Sequence, residues 1–203
     1  CEFVMFFLEI IHKSASREVS FSINGDPNND VDKLALQCYK TKKEIYEKEY
    51  SEMLDLFYGL SFRKIVSMTT KKVHSIKPEM FFLLNLPVLD NNNELHTLDQ
   101  CIKTYLTPER LTGDNAWYNE ETKQKEDVYM ESGFWDIPRV FVVNLSRFSP
   151  MGQKIKHNID FPIDDFDMST YMSGYTPQKY VYELYGIINH IGGMNNGHYT
   201  SFV

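Results

Sequence analysis

Three cysteines and six histidines are the residues of this chain that could act as nucleophile and base. Among the histidines His198 stands apart, because it opens a strand-like run directly after Ile191-Gly192-Gly193-Met194-Asn195-Asn196-Gly197. Gly and Asn supply the positive φ that a tight loop needs, and Gly197 lets another backbone approach without a Cβ in the way. A histidine held by a strand at the end of such a loop suits a general base that takes a proton from a thiol or hydroxyl. As a tripeptide, Gly197-His198-Tyr199 fits a satisfied structural histidine at least as well. His190, across the same loop, reads as a loop-orienting or substrate-facing group rather than a second base. His12, His74, His96 and His157 follow no pattern and read as solvated or capping residues. The thiols suit core filling better than attack: Cys38 falls on the apolar stripe of a long helix and Cys101 on the inward side of a short one. Cys1 has no preceding segment in the chain to position it or depress its pKa.

The chain that must hold these groups has 203 residues, 42% hydrophobic and 14% aromatic, which suits one sizeable domain with a closed core and excludes a disordered or low-complexity chain. Its 21 basic and 28 acidic residues leave a net charge of −7, with only short basic stretches, so nucleic acid is not expected as a partner and a protein with a basic patch is. Three widely separated cysteines resemble neither a disulfide framework nor a C-x-x-C zinc site, which points to a reducing compartment. The apolar runs Phe3 to Leu8 and Met80 to Leu84 are far shorter than the roughly 18 to 20 residues of a membrane span, so no membrane partner is expected. The chain opens inside an apolar pattern without a starting Met, basic leader or cleavage site, and this start is read as a truncation.

Glu2 to His12 is apolar at most positions and is expected as a short helix buried in the core. After the turn-rich Asn24 to Asn29, Asp30 stands where an N-cap would. A single helix then carries the stripe Val31, Leu34, Ala35, Cys38, Ile45, Tyr46, Tyr50, Met53 and Leu54. Leu56 to Trp135 reads as a β-rich insertion with strands at Phe62 to Met68 and Met80 to Leu86 and an exposed hairpin over Trp117 to Tyr129. Inside it Thr97 and Gln100 form a capping box ahead of Leu98, Cys101, Ile102 and Tyr105. Arg139 to Phe148 and Tyr180 to His190 read as buried central strands, and His198 to Val203 as a returning strand.

Several segments, in order, resemble the ubiquitin-specific proteases, the papain-like thiol deubiquitinases. Glu2-Phe3 with Val4 to His12 is similar to the family's Asp-Ala-x-Glu-Phe segment and the helix after it. Phe57-Tyr58-Gly59, then Ser75, Glu79, Phe81, Leu84 and Leu86, resemble the entry to the fingers and its strand. Leu111 to Asn115 with Tyr118 resembles the Leu-x-Gly-x-Asn turn, and Phe134 to Phe148 the strand that ends Leu-Lys-Arg-Phe. Lys154-Ile155, Phe161-Pro162 and Asp167-Met168-Ser169 fit the next segment. Tyr182 to His190 and Gly197-His198-Tyr199 match the family's histidine box.

The resemblance implies an α+β papain-like cysteine protease fold with an incomplete thumb at 1–56, fingers at 57–135 and palm at 136–203. It makes His198 the general base in deubiquitination, with Glu2, His190, Gly197 and Tyr199 facing substrate. Gly197 would line a channel for ubiquitin's C-terminal tail, and Glu2 would pair with that tail's arginines. The family's Cys box precedes the Glu-Phe segment and its histidine-orienting Asp or Asn follows the histidine. Both are expected outside this chain. Where many members hold zinc with two C-x-x-C pairs, this sequence has Met68 with Lys71 and Asn119 with Thr122, so no metal or other cofactor is expected. The implied partners are ubiquitin and ubiquitinated proteins, in the cytoplasm or nucleus. The alternative is a catalytically inactive ubiquitin-binding pseudoprotease module.

Overall fold

The structure, a computed structural model, describes residues 2–90, 94–175 and 180–203, with Glu2 through its backbone alone. In chain order it forms α1 (Glu2–Ala15), α2 (Asp30–Glu49) and α3 (Glu52–Phe57), then β1 (Gly59–Ser67), β2 (Val73–Phe81) and β3 (Leu83–Pro87). Helix α4 (Leu98–Leu106) and β4 (Glu109–Leu111) lead to β5 (Trp117–Asn119), β6 (Gln124–Glu126) and β7 (Val128–Asp136). The chain closes with β8 (Val142–Ser146), β9 (Phe166–Asp167), β10 (Val181–Tyr182), β11 (Ile187–Gly192) and β12 (Gly197–Phe202). None of the described helices is long and apolar enough to cross a membrane.

Two compact units share these elements. The first takes the described residues of Cys1–Leu83, Thr107–Val142 and Tyr171–Pro177. Its sheet runs β2-β1-β7-β4 with antiparallel neighbours throughout. Leu34, Ala35 and Cys38 of α2 press on Leu60, Phe62 and Trp135 of that sheet, so the inner part of the stripe is core, while Val31 at its start is exposed.

Caps decide where the helices begin. Asn29, rather than Asp30, is the α2 N-cap: extended at φ −144°, it accepts from the Asp32 amide at 2.8 Å. This leaves Asp30 in the first turn, where its charge favours the helix dipole. The stripe is not carried by one helix. The chain leaves helical geometry at Tyr50, and buried Ser51 caps α3 by accepting from the Met53 amide at 3.2 Å. A serine hydroxyl aimed at backbone amides competes with the helical ladder and restarts it in a new direction.

Helix α1 departs furthest from expectation. Leu8 and His12, four residues apart, are its buried side chains, whereas Phe3 is 76% and Phe6 61% exposed. One stripe of α1 meets α3, and apolar positions off that stripe point outward.

The second unit takes the described residues of Leu84–Leu106, Val143–Thr170 and Gln178–Val203. Leu84, Leu86, Val88, Leu95, Ile102 and Met168 form its interior. The capping box stands as expected: Thr97 Oγ1 accepts from the Gln100 amide at 3.2 Å, and Gln100 Oε1 accepts from the Thr97 and His96 amides at 3.1 and 2.8 Å. The two expected central strands differ from the structure. Within Arg139 to Phe148 only β8 is a strand, half-buried and paired with β3, because the Val140 amide donates to the Leu56 carbonyl instead of joining a ladder. Tyr180 to His190 divides into β10 and β11, with the Leu184 amide given to the Ile163 carbonyl between them. Strand β11 pairs with β12 in a two-stranded ribbon that leaves Ile188 68% exposed, since such a ribbon has no neighbour to cover its alternating apolar groups.

Candidate active site

The ribbon β11–β12 carries the candidate base. Its antiparallel register sets Asn189 opposite Thr200, His190 opposite Tyr199, Ile191 opposite His198 and Gly192 opposite Gly197. Gly192, at φ +128°, starts the turn, and the Gly193 amide donates to the Asn196 carbonyl at 2.9 Å to close it. That conformation is open to glycine and strained for other residues, so the sequence's Gly-Gly dictates where the ribbon reverses.

Side chains that face each other across an antiparallel pair share one face. His190 and Tyr199 therefore lie on one side of the ribbon, with ring centroids 4.8 Å apart, and His198 lies on the other with Ile191. His198 is exposed at the start of β12. A base that must reach a bound substrate needs this access, and a sealed ring would have ended its candidacy.

Gly197 has a second constraint. A Cβ there would fall on the His190 ring and 2.6 Å from the Ile191 carbonyl oxygen, so the ribbon closes only around a glycine. His190 also borders an open groove of about 740 Å³ lined by Gln153, Lys154, Lys156, His190 and residues 191–193. Lys154, which drew no role from sequence, reaches across it: Nζ donates to the His190 carbonyl at 2.6 Å and lies 3.2 Å from His190 Nδ1. These residues are 36 positions apart, and neither lysine spacing nor charge pattern signals the contact.

The remaining chemical residues are distributed elsewhere. Glu2 opens α1, but its side chain, like all of Cys1, lies outside the described residues. Cys38 is fully buried and its thiol pushed up to about 12 by desolvation; burial also raises the Cys101 thiol. Neither can supply a thiolate near neutrality. Three of the histidines expected as solvated or capping residues are instead enclosed by side chains. His12 is buried and its Nδ1 sits 2.7 Å from the Ser51 hydroxyl, joining α1 to the serine that caps α3. The His74 side chain is 9% exposed, 3.1 Å from Glu126 and stacked on Trp117. His157 is equally covered: neither ring nitrogen has a hydrogen-bond partner among the described residues, and Glu94 stands 3.8 Å away.

The loops at Met68, Lys71, Asn119 and Thr122 are organised by hydrogen bonds of side chains and backbone alike. Buried Asn119 accepts from the Glu121 and Thr122 amides at 2.9 and 3.3 Å and donates to Glu126 at 3.3 Å. Ser67 Oγ accepts from the Thr70 amide at 3.1 Å, and the Met68 amide donates to the Asp127 carbonyl at 3.1 Å. The hairpin β5–β6 lies against this network, so the Trp117 to Tyr129 segment is less peripheral than its charges suggest: Asn119 and Val128 are both buried.

The family model of the ubiquitin carboxyl-terminal hydrolases matches residues 1–203. The chain belongs to this family. It is similar to ubiquitin carboxyl-terminal hydrolase 8 of Arabidopsis thaliana, at 38% identity over 53% of this chain and 13% of that protein. Ubiquitin carboxyl-terminal hydrolase 19 of Homo sapiens is 37% identical over 52% of this chain and 8% of its own length. Among solved structures, the yeast SAGA DUBm is 28% identical with a TM-score of 0.61, covering 73% of this chain and 33% of that one. The SAGA Ubp8/Sgf11/Sus1/Sgf73 DUB module bound to ubiquitin aldehyde, at 24% identity, shares the fold with a TM-score of 0.63 over 81% of this chain and 38% of that one. The chain thus spans under a fifth of these curated relatives and under two fifths of the solved chains. The α+β papain-like fold expected from sequence is borne out by these likenesses.

Proposed function

We propose that this ubiquitin carboxyl-terminal hydrolase family chain provides the histidine of a thiol deubiquitinase, which cleaves the isopeptide bond after the C-terminal glycine of ubiquitin. The observation that carries the reading is His198, exposed at the mouth of a glycine-closed turn on a two-stranded ribbon. In this reading 1–56 serve as thumb, 57–135 as fingers and 136–203 as palm. Ubiquitin and its conjugates are the partners, in the cytoplasm or nucleus.

His198 draws the proton from a cysteine thiol as the sulfur attacks the glycine carbonyl. The resulting imidazolium then protonates the departing lysine amine as the carbon–nitrogen bond breaks. Water, deprotonated by the same ring, cleaves the thioester and returns the thiol. Burial and raised thiol pKa values remove Cys38 and Cys101 from the nucleophile's part, and this reading assigns the sulfur to the family's Cys box, which precedes the Glu-Phe segment. Glu2 pairs with arginines of the ubiquitin tail, Gly197 and Tyr199 border its path, and His190 orients the loop. No cofactor takes part.

The test is hydrolysis of ubiquitin conjugates by the natural full-length protein and its His198→Ala variant. Cleavage by the first, with lost turnover and kept ubiquitin binding in the second, is expected. Turnover retained without His198 overturns the mechanism. Ubiquitin binding without turnover in the natural protein would make the chain part of a non-catalytic binding module.

A further inference from the structure

Lys154 hydrogen-bonds a histidine of the ribbon and engages that residue twice, through the His190 carbonyl at 2.6 Å and Nδ1 at 3.2 Å. An ammonium has only donors, so the Nδ1 facing it accepts, and the proton of the neutral ring belongs on Nε2. Nε2 is the ring atom nearest the position a Cβ on Gly197 would take. The ring's face meets Tyr199 at 4.8 Å and Phe148 at 6.0 Å between centroids. His190 therefore touches the residue before His198 and the residue after it, both on the ribbon face that His198 does not use.

The lysine is itself anchored. It pairs with Phe148 across a short antiparallel bridge, the next residue's amide donates to the Arg147 carbonyl at 2.7 Å, and Nζ stands 5.8 Å over the Phe148 ring. The turn between them meets the ribbon's own loop, where the Met194 sulfur lies 3.2 Å from the position of a Cβ on Gly152. A two-stranded ribbon has little rigidity of its own. Besides the ladder to β11, the clamped His190 ring lies against β12 at Gly197 and Tyr199 on one face.

We infer that Lys154 is a positioning residue for His198: by binding the carbonyl and Nδ1 of His190 it fixes that ring against Gly197 and Tyr199, and so fixes the strand from which the base projects. The inference rests on the deubiquitinase reading for its kinetic consequence and on the hydrogen bonds alone for its spectroscopic one. Misplacement of a base by a fraction of an ångström acts on the chemical step, because substrate affinity is set by other contacts.

The test uses the natural full-length protein with Lys154→Met and Lys154→Arg variants, read by hydrolysis of ubiquitin conjugates and by the ring ¹⁵N shifts of His190. Lys154→Met should lower kcat about tenfold with KM changed less than about twofold. Lys154→Arg, which keeps donors for both acceptors, should recover most of the loss. At about pH 8, above the ordinary imidazole range, the ring nitrogens should report the Nε2–H tautomer in the unaltered protein and a mixture in Lys154→Met. An unchanged kcat in a folded Lys154→Met protein, or a predominant Nδ1–H ring in the unaltered one, overturns the inference. If Lys154→Met does not fold, the arginine variant and the tautomer still decide it. A natural protein that folds and shows this tautomer yet cleaves no ubiquitin conjugate would instead remove the deubiquitinase reading.

Discussion

His74 and His198 each stand on a strand beside a hairpin, and their surroundings are opposite. His74 is enclosed, with Glu126 of β6 at 3.1 Å, Trp117 of β5 stacked at a centroid distance of 5.1 Å, and Asn119 tying the same glutamate to the turn. His198 is exposed, and its ribbon's aromatic contacts collect around His190 on the other face. A histidine whose hydrogen bonds and ring faces are taken up by its own hairpin supports the fold. One kept clear of such contacts, on a strand held from behind, can exchange protons with a substrate. Residue type and strand position are shared, so the neighbours make the difference.

The largest effect that would sharpen this contrast is on turnover. His198→Ala in the natural full-length protein should cut hydrolysis of ubiquitin conjugates by about a hundred- to ten-thousandfold while leaving thermal stability nearly unchanged. A large stability loss would make His198 a structural residue like His74. The converse substitution, His74→Ala, should cost about 1–3 kcal/mol in urea unfolding and leave kcat nearly intact, since it strips a buried ring from Trp117 and a partner from Glu126.

A smaller, pH-dependent effect belongs to Glu126, whose carboxyl is held below its ordinary 4.5 by hydrogen bonds from the Ser67 hydroxyl and His74, with Asn119 adding to them. A depressed carboxyl pKa stabilises the folded state above its unfolded value and stops doing so as pH falls through the folded value. Glu126→Gln should therefore be least stable relative to the unaltered protein at neutral pH, with the gap closing below 4.5. Denaturation at about pH 7 and about pH 3.5 measures it; a gap that widens in acid would contradict the network. The smallest expected effect is none at all: Cys38 and Cys101 should resist alkylation in the native protein, Cys38 because burial pushes its thiol up to about 12. Rapid labelling of either would reopen them as nucleophiles.

What could be read in advance followed local rules. The Gly-rich turn at Gly192 to Gly197 forms where its residues allow a positive φ, and Thr97 with Gln100 builds the expected capping box. Leu34, Ala35 and Cys38 lie inward at helical spacing. Errors arose wherever a second element had to be known. Apolar spacing in α1 cannot say how many neighbours the helix has, and it has enough to cover Leu8 and His12 but not Phe3 or Phe6. Alternation in Tyr180 to His190 signals a strand but not whether sheets cover both faces, and here the ribbon stands with its apolar residues exposed. The stripe through Tyr50 to Leu54 hides a break, because Ser51 fits a helix by spacing and ends one by hydrogen bonding.

The order of residues alone was enough to single out His198, to require glycine around it, and to point to the family through separated segments, because backbone conformation and local motifs are set by near neighbours in the chain. Only the tertiary structure could place Lys154 on His190 and enclose His74 against Glu126. Those relations join residues tens of positions apart, and hydrogen-bond geometry across such separations exists only once the chain has closed on itself.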